Sequence, residues 1–563
     1  MKRIPSSSIS SCYFLCLFYF CSFSAWAEKL PTAAIASAHP LATEAGLQML
    51  QQGGNAFDAA IAVTAVLAVA EPYSSGIGGG GFYLLHQAKT GQDVMLDARE
   101  RAPFKATPNM YLDKHGVIVP NASIQGALSA GIPGIPAALE WLANKHGKLK
   151  LSVSLKPAIK VARDGFKVDE HYRRMARFRK DALLASTSAA KIFLRDGQIP
   201  DVGDVIIQED LAKTLEEMAK HGAAGFYRGA VAQQLVDAVQ AAGGIWSKKD
   251  LRSYRVIERE PTRIQHHETK IVTAALPSSG GIVLAEILNI LEKYPMHDLD
   301  KADQTHLIIE AMRRAYRDRA AYLGDADYVE VAQALLQDKS YAAGLAASIH
   351  RQRATQSDTL PTADVKTSGQ DTTHFSIIDR EGNRVAATLS INYPFGSCFV
   401  AAGTGVLLND EMDDFSSKPG TPNAYGLVGA KANAIAGGKR MLSSMSPTFV
   451  ETKDRLAVIG TPGGSRIITM VLAAILDVID DKTAKEIVTA ARLHHQYLPD
   501  KVFVEKNRLD NEQRSALLSR GHKIEVSESS WGNMQAVIWD KKTQTMSAAS
   551  DPRGVGSAVV VAQ

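Results

Sequence analysis

The sequence predicts a layered α/β fold. Strand-like and helix-like segments alternate near both ends of the chain, the stretch between them reads mostly as helix, and no linker divides the three. That pattern calls for sheets whose faces are covered by helices. Leu41 to Gln52 carries the helical period and stops at Gly53-Gly54. Asn55 suits the N-cap of an apolar helix running towards Ala70 and ending before Pro72, because its short side chain can accept from otherwise unpaired N–H groups. Tyr83-Leu84-Leu85 and Val94-Met95-Leu96-Asp97 read as strands. The helical middle comprises Pro136 to Lys145, Leu155 to Arg163, Glu209 to Lys220, Ala230 to Ala242, Ile282 to Lys293 and Gln304 to Tyr322. From Thr372 strands dominate, with one further helix from Arg466 to Ile479.

Composition narrows the function classes. The 563 residues are 45% hydrophobic, enough for large cores, and no Pro/Ser-rich linker, charge block or repeat marks a domain boundary, so one compact body is expected. A net charge of +4, with Lys and Arg scattered among acids, gives little support to a nucleic-acid partner. Met1-Lys2-Arg3, an apolar run from Cys12 to Phe23 and the small-x-small Ala25-Trp26-Ala27 read as a signal peptide over residues 1–27, cut after Ala27 to leave Glu28 first. That run falls short of the ~20 residues that span a bilayer. Three of the 4 cysteines lie in this segment, so the mature chain keeps only Cys398 and can form no internal disulfide. No Cys/His cluster has metal-ligand spacing. A soluble bacterial protein, periplasmic or secreted, is expected.

Thr372-Thr373-His374-Phe375-Ser376, returning through Gly382-Asn383 to Ser390-Ile391-Asn392, reads as a β-hairpin. Phe375 and Ile377, then Val385, Ala387, Leu389 and Ile391, alternate with smaller or more polar residues, and Asp379 to Asn383 supplies the turn. A turn centred on Glu381-Gly382 sets Thr372 opposite residue 391, flanked by Ser390 and Asn392. A threonine among hydroxyl and amide groups at the start of a strand is a candidate nucleophile.

Several segments follow in order: Leu408-Asn409-Asp410-Glu411-Met412-Asp413-Asp414-Phe415, Leu442-Ser443-Ser444-Met445-Ser446-Pro447-Thr448 and Gly460-Thr461-Pro462-Gly463-Gly464-Ser465-Arg466. Upstream lie Glu71-Pro72, Gly78 to Phe82, Asp97-Ala98-Arg99-Glu100 and Pro277 to Gly281. With the Thr-Thr-His-Phe-Ser strand, these segments resemble the γ-glutamyltransferase (γ-glutamyl transpeptidase) family of N-terminal-nucleophile hydrolases, across nearly everything after the first thirty residues. The resemblance sharpens the fold to an αββα sandwich with a helix-rich middle. It also implies that the precursor cuts itself between Asp371 and Thr372, giving a large subunit of 28–371 and a small subunit of 372–563 held together non-covalently.

That cut would give Thr372 a free α-amine, with a reference pKa of about 7.7–8.0, close enough to neutrality to take the hydroxyl's proton. Thr373 is the competitor, and a regular strand turns it to the opposite face. Ser390 is expected to orient Thr372. Under the resemblance the substrate head is an amino acid. Arg99 can grip its α-carboxylate in bidentate fashion, helped by the hydroxyls of Ser443 and Ser444. Asn392, Glu411 and Asp414 supply acceptors for its ammonium, and Gly463 and Gly464 suit an oxyanion hole because no side chain obstructs their N–H groups. Pro277 to Gly281 is read as close packing at a helix start with room for a supporting part in the site, and Gly78 to Gly81, lacking the Lys-Ser/Thr ending of a P-loop, is set aside as a phosphate site. The Gly/Pro/Asn-rich segment after Asp414, with Tyr425, resembles a lid.

The implied activity is that of a self-processing γ-glutamyltransferase and glutathione hydrolase, which passes the acyl group from glutathione or another γ-glutamyl compound to water, amino acids or dipeptides. It requires no cofactor and no metal. Two alternatives stay open: a cephalosporin or glutaryl acylase on the same scaffold, and a periplasmic binding protein without turnover. Asp371, Ser390, Tyr393-Pro394 and Ser397-Cys398 depart from the usual family pattern near the site.

Overall fold

The structure, a computed structural model, describes residues 30–360, 372–418, 427 and 429–562. Two antiparallel sheets lie face to face. The strands of both, in chain order, are β1 (Ala33–Ser37), β2 (Gly80–Gln87), β3 (Gln92–Asp97), β4 (Ile257–Arg259), β5 (Thr262–His266), β6 (Thr269–Thr273), β7 (Thr373–Ile378), β8 (Arg384–Ser390), β9 (Thr448–Glu451), β10 (Arg455–Gly460), β11 (Gln535–Asp540), β12 (Thr545–Ser550) and β13 (Ser557–Val561). The first sheet has the order β13-β1-β7-β8-β2-β3-β4 and the second β12-β11-β10-β9-β6-β5. Segments before and after Thr372 therefore contribute strands to both sheets.

Helices cover the outer face of each. Helices α1 (Pro40–Gln51) and α2 (Ala56–Ala70) pack on the first sheet, and α3 (Gly280–Leu291), α4 (Lys301–Tyr322) and α5 (Ile467–Ile479) on the second. As its sequence predicts, α2 starts at Asn55, whose side chain accepts from Phe57 and Asp58 N–H while Asp58 reaches back to the cap. It is apolar all round and buried along its whole length, as such a helix must be. Shorter helices such as Glu170–Phe178 escaped the periodicity reading because their polar residues outnumber the buried ones.

Between the sheets Ala34, Ala36, Leu84, Ile378, Ala386, Phe449 and Val458 form a thin core. Strand β7 serves both sides: Phe375 and Ile377 face α2, and Ile378 faces the second sheet. His374 also turns inward. A Cβ on Gly460 would fall 2.2 Å from its ring, so only glycine fits there. Burial pushes the His374 imidazole down to about 3, and its Nδ1 shares a hydrogen bond with Thr388 Oγ1 at 2.8 Å.

The hairpin register differs from expectation by one residue. Leu389 pairs with Thr373, which brings Ser390 rather than Ile391 beside Thr372. The reason is the turn: Asp379 Oδ1 accepts from the N–H of Glu381 and of Asn383, which centres the loop on Glu381. Among the described residues no helix is long and apolar enough to cross a membrane. The expected signal peptide and Asp371 lie outside the described residues, as does Tyr425.

Candidate active site

Thr372 stands where β7 begins, next to the last residue of β8, and is only 5% exposed. Its Oγ1 lies 3.5 Å from Ser390 Oγ, the outer limit of a hydrogen bond. Ser390 Oγ is itself fixed by accepting from Asn392 N–H at 2.7 Å. Asn392 adopts φ +75°, a left-handed backbone that asparagine tolerates better than most residues, and its Nδ2 donates to Asp410 O. Thr373 points the other way, as a regular strand requires, and donates to Glu71 Oε2 at 2.8 Å.

A narrow recess of about 20 Å³ opens on one side of Thr372, and it gathers Arg99, Ser390, Asn392, Glu411, Asp414, Ser443, Ser444 and Gly464. Every residue expected at the site lines it except Gly463, which faces a second cavity on the other side of Thr372. Leu427 also lines the recess, and residues 419–426 and 428 of the expected lid lie outside the described residues.

Three local devices present the charged groups. Beyond β3, Asp97 Oδ1 accepts from Arg99 N–H and Tyr254 Oη donates to Arg99 O, which fixes the backbone that carries the guanidinium. Asn409 donates to Gly78 O and Gly131 O and accepts from Glu411 N–H, locking the 3-10 turn Glu411–Asp414. The segment before α3 packs and also supports the site. Ser279 donates to Ser443 O at 2.7 Å, and Arg319 of α4 bridges Ser279 Oγ at 2.9 Å to Ser444 Oγ at 3.2 Å. Arg319 was missed from sequence, since it is one of several arginines on a long helix and nothing in its spacing marks it. The Asp413-Asp414 pair divides: Asp413 Oδ1 accepts from Ser123 Oγ at 2.7 Å, while Asp414 turns to Arg99.

Arg99 is already engaged by carboxylates of its own chain. Its Nη1 donates to Glu411 Oε2 at 2.6 Å, its Nη2 pairs with Asp414, and Glu100 stands 3.8 Å away. Burial raises all three carboxyls and Arg99 pulls each back down; neighbouring acids push Glu100 and Glu411 further up, whereas Asp414 is also drawn down by Arg319 and by a hydrogen bond with Glu411. Glu411 is pushed up to about 7. Glu100 rises well above its ordinary range, and both its oxygens are buried without a hydrogen-bond partner. A protonated Glu100 leaves two cations, Arg99 and Arg319, against two anions, Glu411 and Asp414. Glu411 Oε1 is also buried and unpartnered, so the recess holds a ready acceptor beside a guanidinium. Such a site can take a group carrying both a carboxylate and an ammonium with no net change of charge.

The Gly463-Gly464 turn enters α5 with φ of +137° and +56°, values that favour glycine, and a Cβ on Gly463 would lie 2.6 Å from Met470 Cε. Neither N–H makes a backbone hydrogen bond among the described residues. One His/Glu group that the sequence spacing did not suggest does come together: His266 and His267 at the β5–β6 turn with Glu292 at the end of α3. Lys339 Nζ, 2.6 Å from Glu292, already supplies a cation there.

Residues 42–561 match the family model described as gamma-glutamyltranspeptidase. A glutathione hydrolase proenzyme of a Pseudomonas species is 44% identical over 500 residues, covering 87% of this chain and 86% of that protein. The glutathione hydrolase proenzyme of Escherichia coli is 40% identical over 527 residues, covering 92% and 90%. Among solved structures, a cephalosporin acylase from Bacillus halodurans superposes with a TM-score of 0.82 at 27% identity, covering 98% of this chain and 99% of its own.

Proposed function

The chain belongs to the gamma-glutamyltranspeptidase family, and on that premise we propose that it is a γ-glutamyltransferase and glutathione hydrolase whose nucleophile is Thr372. The observation that carries the reading is the position of Thr372 between a charged recess and a second cavity. The glutamyl head enters the recess. Its α-carboxylate replaces Asp414 and Glu411 on Arg99 and takes hydrogen bonds from Ser443 and Ser444. Its ammonium moves to the released Asp414 and Glu411, with Asn392 as a further acceptor. One internal ion-pair set is exchanged for two external ones, so no buried charge is stranded.

Self-cleavage between Asp371 and Thr372 frees the amine of Thr372, which takes the proton of Oγ1 as Oγ1 attacks the γ-carbonyl. The N–H groups of Gly463 and Gly464 receive the oxyanion. Collapse expels the amine, protonated by the Thr372 ammonium, and leaves a γ-glutamyl ester that water or a second amine then takes. In the uncut precursor the same nitrogen is an amide and cannot serve as a base. Because strands from both sides of residue 372 share both sheets, the two pieces would stay together after the cut. Export through the segment 1–27 to the periplasm or exterior accords with this reading.

The exchange argument also separates this activity from the acylase alternative. A glutaryl chain brings a carboxylate but no ammonium, and would leave Asp414 or Glu411 buried and unpaired.

The test is the intact mass of the purified protein with Thr372 and with Thr372→Ala. Two fragments that break before Thr372, and a single uncut, inactive chain in the variant (at least about a thousandfold down in turnover), are expected. A wild-type chain that stays whole yet turns over glutathione would overturn the nucleophile assignment.

A further inference from the structure

The β5–β6 hairpin departs from the usual turn chemistry. His266 pairs with Thr269, so the two turn residues are His267 and Glu268. Two-residue hairpins favour glycine, asparagine or aspartate at the first of these, because that residue takes a positive φ. Here His267 takes it, at φ +49°. Gln265 Nε2 donates to His267 O at 2.7 Å and holds the turn in that shape. The two imidazoles are thereby brought edge to face, with ring centroids 4.6 Å apart.

Glu292, just past the last residue of α3, faces the pair. Its Oε1 lies 4.0 Å from His267 Nδ1 and accepts from His267 N–H at 3.4 Å, while its Oε2 pairs with Lys339 Nζ at 2.6 Å. One donor atom from each of His266, His267 and Glu292 lies within 4.8 Å of the other two. His266 is only 8% exposed, and its Nδ1 is buried without a hydrogen-bond partner among the described residues. A buried ring nitrogen left in that state is costly, and a bound ligand would relieve it. Burial lowers the His266 imidazole to about 4, which leaves the ring neutral, the form that binds a metal. Burial raises Glu292, but the bond from Lys339 and the His267 N–H outweigh it and hold the carboxylate below its ordinary range. None of the three residues lines either cavity at Thr372, so the reaction proposed above gives them no role.

Two neutral imidazoles and one carboxylate suit a borderline divalent ion, whereas Ca²⁺ and Mg²⁺ take oxygen ligands. We propose that His266, His267 and Glu292 bind one divalent ion of the zinc, copper and nickel class, which ties the edge hairpin of the second sheet to the end of α3. Strand β5 is the last of that sheet, so its tip has a neighbouring strand on one side only. Bonds of about 2.0–2.2 Å to each donor require the three atoms to draw closer, and rotation of the exposed His267 ring and of the Glu292 carboxylate supplies that movement. The ion takes Glu292 Oε1 and leaves Oε2 to Lys339. Lys339, on the helix Lys339–Ala347, then opposes the ion across a shared carboxylate and weakens its hold.

The experiment uses the processed protein, free of any histidine tag and stripped with a chelator, titrated with Zn²⁺ by calorimetry. One Zn²⁺ per chain is expected. His267→Asn puts a residue suited to the turn in place of a ligand, and it and His266→Ala should each weaken binding by about tenfold or more. Lys339→Gln should act the other way and tighten binding about threefold or more, because a like charge beside the ion is gone. At a hundred times Kd the ion should raise the Tm of the unmodified protein by about 2 °C and leave that of His267→Asn where it was. Failure to take up Zn²⁺, or uptake that both histidine variants retain, would overturn the site. Affinity that is unchanged or lower in Lys339→Gln would overturn the placement of the ion on Glu292. Binding without a rise in Tm would overturn the tie between the hairpin and α3.

Discussion

The two spaces that meet at Thr372 are built on opposite electrostatic plans. In the recess the charged groups are engaged before substrate arrives: Arg99 is held by Glu411 and Asp414, and Arg319 donates to the hydroxyls of Ser279 and Ser444. In the larger cavity Arg174 has no ion partner among the described residues, and burial pushes the Glu71 carboxyl up to about 7. A pre-paired, buried site rewards only a ligand that can replace both halves of the pair, because breaking it one-sidedly strands a charge at a cost of about 3–5 kcal/mol. An open site with unmatched charges accepts many ligands and discriminates weakly. The donor head should therefore be recognised strictly and the acceptor loosely.

The largest expected break in that contrast is Arg99→Lys. An ammonium cannot bind two carboxylates in the parallel geometry of a guanidinium. Loss of one charge-assisted hydrogen bond, about 3 kcal/mol at the upper end, should lower kcat/KM for the γ-glutamyl donor roughly a hundredfold, measured at saturating acceptor. A loss under threefold would mean that the Arg99 pairs only hold the fold.

A smaller and more specific change is expected from Asp414→Asn. It removes the ammonium's partner while leaving Arg99 with Glu411. The ratio of γ-glutamyl to glutaryl anilide hydrolysis should fall by about tenfold or more, since the monoanionic chain no longer strands a charge. An unchanged ratio would place the acylase alternative back in contention.

The mildest effect is set by pH. Glu100 keeps in the fold a proton that the unfolded chain gives up near 4.5. The folded state then binds more protons above that value, so this group lowers stability as pH rises from about 4.5 upward. Glu100→Gln keeps the hydrogen and removes the ionisation. Its Tm should gain on the unmodified protein between pH 5 and 8, with activity at pH 7 little altered. A Tm difference that does not change with pH would mean that Glu100 is ionised in the fold.

Much of this was legible in the chain. The αββα layering, the hairpin that carries Thr372 and the opposite facing of Thr373 followed from period, turn residues and the family-like motifs, because local pattern decides which face a residue takes. The glycine pair and the acidic turn were likewise marked by their motifs. The register slip came from Asp379, whose carboxylate recentres the turn in a way that composition does not disclose. Arg319 and Glu71 lie 125 and 302 residues from the groups they hold, so no spacing rule could join them.

The sequence by itself thus determined the layers, the strand ends and the residue types that reach Thr372, since these depend on near neighbours and on short motifs. Only the tertiary structure decided the charge state of the recess and the existence of a second cavity with Arg174 at its rim. Both depend on which side chains from distant segments share the same few ångströms, and a buried charge takes its meaning from that company rather than from its own position in the chain.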